Sequence, residues 1–225
     1  MVGSAITFSH YHEPHTCQQV HWTIEDWGER KYVTIEELER VLRTNAIYPK
    51  TLQRDDIQTQ KIESTLQNHP MIRTAECYVS EEGEVFITLT QRQPILRIIT
   101  GAESYLVDSD RRRMSVRETI KDHLLLAEGN IGERMATHEL AEFALWLQSN
   151  PYWRERITTV RVRTPHYMEL IQVGGEPRIV VDGLSKVEKQ LAKLRKYNEG
   201  MANLNEKPAY HELDIRFEGQ VVGRK

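Results

Sequence analysis

Between residues 74 and 90 apolar positions recur at every second residue on both sides of a short turn. Ala75, Cys77 and Val79 alternate with Thr74, Glu76 and Tyr78. Past Glu81-Glu82-Gly83, Val85, Ile87 and Leu89 alternate with Phe86, Thr88 and Thr90. Two such runs around a glycine-containing turn predict a β-hairpin with one buried face. Upstream, Ile62 and Leu66 are one helical turn apart and His69-Pro70 follows. A helix is therefore predicted from near Asp55-Asp56 to the proline, which lacks the amide proton a helix needs and restricts its predecessor. Val33-Thr34-Ile35-Glu36-Glu37-Leu38 predicts an earlier helix start, in which Thr34 caps the free amides, Glu37 reaches back to it and Val33 packs on Leu38. The apolar stripe of that helix is Ile35, Leu38, Val41 and Leu42, ending near Thr44-Asn45. With a first strand over residues 18–24, the order is strand, helix, helix, strand, strand.

The texture changes after Gln91. Pro94 introduces short strand-like runs at 95–99 and 105–108, with Gly101 between them, and residues 109–135 are polar and weakly patterned. Residues 137–148 predict an amphipathic helix with Leu140, Phe143, Ala144 and Leu147 on one face, closed by Asn150-Pro151. Strands are predicted over 157–163, 168–173 and 178–181. A helix over about 185–198 places Val187, Leu191 and Leu194 together, and one last strand over 211–222 turns Leu213, Ile215 and Phe217 inward. The pattern predicts an α+β protein: a flexible leader over 1–16, a compact βααββ domain over 17–92, and a strand-rich β domain with two helices over 93–225. The joint falls at Arg92-Gln93-Pro94.

Composition narrows the function classes. The chain has 225 residues, 39% hydrophobic and 28% charged, which is ordinary for globular domains. A net charge of -3 gives no reason to expect nucleic acid, which needs a basic face. No apolar run approaches the roughly 20 residues that span a bilayer. Cys17 and Cys77 could pair in an oxidising compartment, but Cys77 falls on the apolar side of its strand, where a free cysteine serves as a small hydrophobe. His10, His12 and His15, with His21 nearby, have spacing that suits zinc or copper; the favoured reading is a solvated segment, because a site needs a preorganised ligand set. His138-Glu139-Leu140-Ala141-Glu142 opens like a zinc-protease motif but has Glu where the second ligand histidine is required, so it reads as a helix start. Arg111-Arg112-Arg113 reads as a solvated turn in an acidic chain. No nucleophile elbow, phosphate-cradling glycine loop or C-x-x-C is present, so no catalytic, cofactor-binding or metal residue is assigned and no enzyme is expected.

The segment with positive weight is the last one. A terminal strand can be a sheet edge, and an edge exposes backbone groups with which another chain can pair. Gly219 and Gly223 would leave room for a close backbone approach.

Several segments together resemble a known family. The βααββ order, Lys61-Ile62-Glu63 through His69-Pro70-Met71-Ile72, the hairpin and Gln91-Arg92-Gln93-Pro94 resemble the POTRA domain of the FtsQ/DivIB bacterial cell-division proteins. Tyr105-Leu106-Val107-Asp108, the stretch from Phe143 to Trp153, Leu213-Asp214-Ile215-Arg216-Phe217 and Gln220-Val221-Val222 resemble successive parts of that family's β domain, in the form found in Bacteroidetes-type bacteria. Phe217 stands where that family frequently has tyrosine.

The resemblance implies a non-enzymatic divisome scaffold. It would be anchored in the inner membrane by a single helix preceding this segment, with both domains on the periplasmic side at the division septum. It would recruit FtsB- and FtsL-type partners and help control septal peptidoglycan synthesis, with other divisome proteins as candidate partners of the POTRA domain. The family's pairing with FtsB through the last strand carries over to Arg216, Phe217, Gly219, Val221 and Val222, and a basic contact from the preceding helix carries over to Lys193. The alternatives are a POTRA-bearing envelope assembly or secretion factor, which would precede a large β-barrel, and an envelope hydrolase, which would need clustered His, Asp or Glu in a cleft.

Overall fold

The computed structural model of the chain describes residues 16–25, 31–101, 103–117, 120, 124–202 and 209–225. The proposed leader with His10, His12 and His15 lies outside the described residues, save for position 16. The chain divides into two compact units, Met1–Arg92 and Gln93–Lys225.

The first unit runs β1 (Val20–Ile24), α1 (Ile35–Thr44), α2 (Thr59–Gln67), β2 (Ile72–Val79) and β3 (Val85–Gln91). Its sheet has the order β1-β3-β2, with β1 parallel and β2 antiparallel to β3. Thr34 caps α1 by accepting from the Glu37 amide at 3.2 Å. Leu38 and Leu42 of α1 and Ile62 and Leu66 of α2 are buried, as are Ala75, Val85, Ile87 and Leu89 of the hairpin. α2 begins later than Asp55-Asp56 suggests. Residues Arg54–Asp56 instead close a 3-10 turn, in which the Ile57 amide donates to the Arg54 carbonyl at 3.2 Å. The helix ends on a buried histidine. The Met71 amide donates to His69 Nδ1 at 3.3 Å, which leaves the ring proton on Nε2, 3.1 Å from Glu37 Oε1.

β2 is an edge strand, yet its backbone is not open along its length. The Cys77 amide donates to Glu63 Oε1 at 2.8 Å and the Ala75 carbonyl accepts from Gln67 Nε2 at 3.2 Å. Glu63 and Gln67 are one turn apart on α2, so this helix supplies the acceptor and donor that a neighbouring strand would supply.

The second unit opens with β4 (Pro94–Thr100), β5 (Glu103–Asp108), β6 (Arg113–Met114) and β7 (Leu125–Gly129). A helical segment follows, α3 (Glu133–Met135) passing through a π turn at Ala136–Leu140 into α4 (Ala141–Ser149), then the short α5 (Pro151–Arg154). β8 (Ile157–Thr164), β9 (Tyr167–Gln172), β10 (Arg178–Val181), α6 (Val187–Ala202), β11 (Glu212–Asp214) and β12 (Val222–Arg224) complete it. All nine strands form one sheet, ordered β12-β11-β10-β9-β8-β7-β4-β5-β6. One face is the core: Leu96, Ile98, Ala127, Val160, Leu170, Ile179 and Leu213 pack with Leu140, Phe143, Ala144 and Leu147 of the 133–149 segment and with Val187, Leu191 and Leu194 of α6.

Two expectations for this unit are corrected. Residues 109–135 hold a central strand, since β7 pairs in parallel with both β4 and β8. Its burial alternates, with Leu125 and Ala127 in the core and Leu126 and Glu128 half-exposed, but in sequence Leu124-Leu125-Leu126-Ala127 reads as a plain apolar run because Leu126 is apolar on the exposed side. The closing segment is not one strand over 211–222. Ile215 to Val221 form a loop that returns the chain as β12, antiparallel to β11. Leu213 and Ile215 are buried as expected, whereas Phe217, on that loop, is 50% exposed rather than inward.

Replacing Glu63 and Gln67 together by alanine should cost about 1–3 kcal/mol, since two strand groups lose their partners. It should also turn β2 into an adhesive edge. Urea denaturation reads the first effect, and light scattering reads the concentration-dependent association.

Candidate functional site

The closing hairpin is the edge of the nine-stranded sheet, and its backbone polarity can be worked out. The Arg178 amide donates to the His211 carbonyl at 2.9 Å, and the Ile215 amide donates to the Val180 carbonyl at 3.0 Å. Leu213, between His211 and Ile215, therefore faces β10, and Glu212 and Asp214 face β12, where the Arg224 carbonyl also accepts from the His211 amide at 3.0 Å. Their register partners Arg224 and Val222 face back toward β11. Alternation leaves Gly223 with its N–H and C=O directed at the open edge. A side chain at Gly223 would force the Tyr210 ring to move. An added Cβ would lie 2.5 to 2.7 Å from ring carbons of Tyr210, which packs against the core beside Val221.

Behind the hairpin lies a cleft of about 450 Å³ lined by Lys186, Lys189, Gln190 and Lys193 of α6 and its approach, and by residues 215–219 of the loop. The structure thus gathers Lys193, Arg216, Phe217 and Gly219 around one cleft, whereas Val221 packs against the core and Val222 opens β12. Lys193 is not a free basic contact. Its ammonium donates to the Ile215 carbonyl at 2.9 Å and to the Phe217 carbonyl, tying the loop to α6. Burial lowers its pKa, against the pull of Asp214 and Glu218. Gly219 turns the loop at φ +70°, with open space around its Cα. Gln190 Oε1 is buried and accepts no hydrogen bond among the described residues. Lys186, Lys189 and Gln190 went unrecognised in the sequence, although their spacing to Lys193 places all four on one helical face.

The sheet face opposite the helices carries a chain of ion pairs. Glu128 Oε1 on β7 receives Arg161 Nε of β8 at 2.6 Å, and Arg161 Nη1 reaches Glu169 Oε2 on β9 at 3.4 Å. Arg178 of β10 stands 3.8 Å from both Glu169 and Glu212, and Arg224 of β12 donates to Glu212 Oε1 at 2.8 Å. Arg216 grips Asp214 bidentately at 3.0 and 2.7 Å and lies 5.0 Å over the Tyr167 ring. Glu169, Glu212 and Asp214 are buried at 4%, 6% and 0% exposure, so these arginines are the partners that make their burial tolerable. Burial alone would raise the Asp214 pKa, but the hydrogen bonds and charge of Arg216 outweigh it and hold the carboxyl below its ordinary value. The Glu128 hydrogen bond raises Arg161 in turn.

The other singled-out residues are occupied locally. His138 Nδ1 lies 3.1 Å from Thr137 Oγ1 and 3.2 Å from the Arg134 carbonyl on an exposed turn. Among the described residues no group of three or more His, Cys, Asp or Glu could hold a metal ion. Arg111 pairs with Glu142 at 3.0 Å, and Arg113 pairs with Glu103 at 3.0 Å while stacking over Tyr105. Cys17 and Cys77 are both free and buried. Burial, helped by nearby Glu63 and Cys17, pushes the Cys77 thiol up to about 12, so it is no nucleophile at neutral pH.

The fold is that of a small unit with a three-stranded sheet and two helices, followed by a strand-rich unit built on one nine-stranded sheet. A family model described as FtsQ/DivIB, C-terminal related, matches residues 93–224, and one described as a POTRA-like domain matches residues 15–90. The first alone covers more than half of the chain, which therefore belongs to the FtsQ/DivIB family. No curated protein matches it. Its role is associated with the bacterial divisome, and the family's members are non-catalytic division scaffolds.

Two outcomes follow from the site. Because the folded state holds Asp214 below its ordinary value of 3.8, the unfolded chain takes up that proton first as pH falls. The stability from this group is present above about pH 4 and is lost as pH drops through the folded pKa. Asp214→Asn should be less stable than the parent at pH 7 and lose less on acidification to pH 3, as read by denaturant titration at both values. Lys193→Met should cost about 1 kcal/mol and speed amide exchange in residues 215–224, because two loop carbonyls lose a charged donor.

Proposed function

We propose that this chain is the periplasmic part of a non-enzymatic divisome scaffold, anchored in the inner membrane, that recruits FtsB- and FtsL-type partners at the septum. It helps control septal peptidoglycan synthesis through those contacts. The partner adds a strand to β12, and its flank contacts Phe217 and the rim of the cleft behind Arg216. The observation that carries this reading is the open edge itself, where Gly223 directs outward a donor and an acceptor that have no partner among the described residues, beside half-exposed Phe217. The closed edge of β2 agrees with it, since helix α2 leaves less backbone there for a partner.

The test is a titration of the protein with the extracytoplasmic segment of an FtsB-type partner, followed by amide exchange. Gly223 should exchange at least tenfold more slowly in the complex. Binding with unchanged Gly223 exchange would sink strand addition. Phe217→Lys should weaken the complex about tenfold or more, as expected for an aromatic anchor.

A further inference from the structure

The ion-pair chain alternates in sign across six consecutive strands: Glu128 on β7, Arg161 on β8, Glu169 on β9, Arg178 on β10, Glu212 on β11 and Arg224 on β12. Each interior arginine serves carboxylates on both neighbouring strands. Arg161 bridges Glu128 and Glu169, and Arg178 bridges Glu169 and Glu212. Arg224 differs. Both of its carboxylate contacts, Glu212 at 2.8 Å and Asp214 at 3.9 Å, lie on the β11 side. Its other side faces the open edge, and its side chain is 54% exposed against 34% and 33% for Arg161 and Arg178. Arg224 is built like the interior arginines but, among the described residues, has a neighbouring strand on one side only.

We infer that the strand docking on β12 carries an aspartate or glutamate across from Arg224, on the helix-free face, and so continues the alternation by one position. Two residues along the same face of that strand, the register partner of Val222 is apolar, because Val222 is itself 36% exposed there. The carboxylate sets register: sliding the added strand by one residue turns the acid to the core face, beside Tyr210, where it finds no arginine. The inference rests on the strand-addition reading and adds to it the chemistry and alignment of the partner.

The experiment uses the same partner segment. Arg224→Glu should weaken binding at least tenfold, since a paired charge becomes a like-charge contact. One acid-to-arginine reversal in the partner should restore affinity for Arg224→Glu while weakening binding to the parent, and reversals at its other acidic positions should not. Because Arg224→Glu also sets a second acid beside Glu212, Arg224→Gln is measured alongside, with thermal melting of both, and should show a smaller loss of the same sign. Parent-like binding by Arg224→Glu overturns the inference, and so does a loss that no reversal restores. In either case Gly223 protection in the parent complex tells which claim fails. If the amide is protected, strand addition stands and only the acidic register falls; if it is not, both fall.

Discussion

Three buried carboxylates on the helix-free face of the large sheet, Glu169, Glu212 and Asp214, constrain everything around them. An unpaired charge in such a place costs about 3–5 kcal/mol, a large share of a domain's net stability. Each is met by an arginine from an adjacent strand or from the closing loop. The contacts hold only if β8 to β12 keep their register, so the ion-pair chain fixes strand alignment on one face while the apolar core fixes it on the other. The closing hairpin has only three residues in each strand and could not hold its place by backbone pairing alone. Arg216, Arg224 and the Lys193 clamp secure it.

The molecule treats its edges unequally. In the first unit, Glu63 and Gln67 occupy backbone groups of β2 that would otherwise template another strand. In the second, β6 is only two residues long, and β12 keeps Gly223 open. An edge left unprotected in a protein that protects another is a feature to be explained by use rather than by neglect. It is also held by positioned side chains, so a strand docking there as proposed would meet a preorganised surface.

Much of the fold was legible in the sequence. The hairpin of the first unit declared itself through clean alternation, and α1 through Thr34, because local hydrogen bonding and one buried face dictate both. The three strands β8, β9 and β10 and the two long helical segments were readable for the same reason. β7 was missed because Leu124, Leu125, Leu126 and Ala127 run on without alternation in sequence, although in the sheet Leu125 and Ala127 are buried while Leu126 and Glu128 lie on the half-exposed face. The closing hairpin was mistaken for one strand because Arg216, Phe217 and Glu218 continue an alternating pattern through residues that in fact turn. Of the candidate partner residues, Arg216, Phe217, Gly219, Val221, Val222 and Lys193 do gather at one end of the sheet, but Lys193 and Arg216 are already engaged by their own chain.

The sequence by itself determined most of the helices and strands, though not β6, β7 or the split of the closing segment into β11 and β12, together with the apolar face of most of them and that no familiar catalytic motif is present, since these follow from periodicity, capping and residue type over short spans. Only the tertiary structure decided that β7 lies between β4 and β8, that Glu128 and Arg224 end one chain of charges, and that of Gly219 and Gly223 the second lies on the edge strand while the first turns the loop. Those facts depend on strand order across segments far apart in the chain. Charged residues one per strand look like ordinary solvated positions until the sheet brings them within about 4 Å of one another.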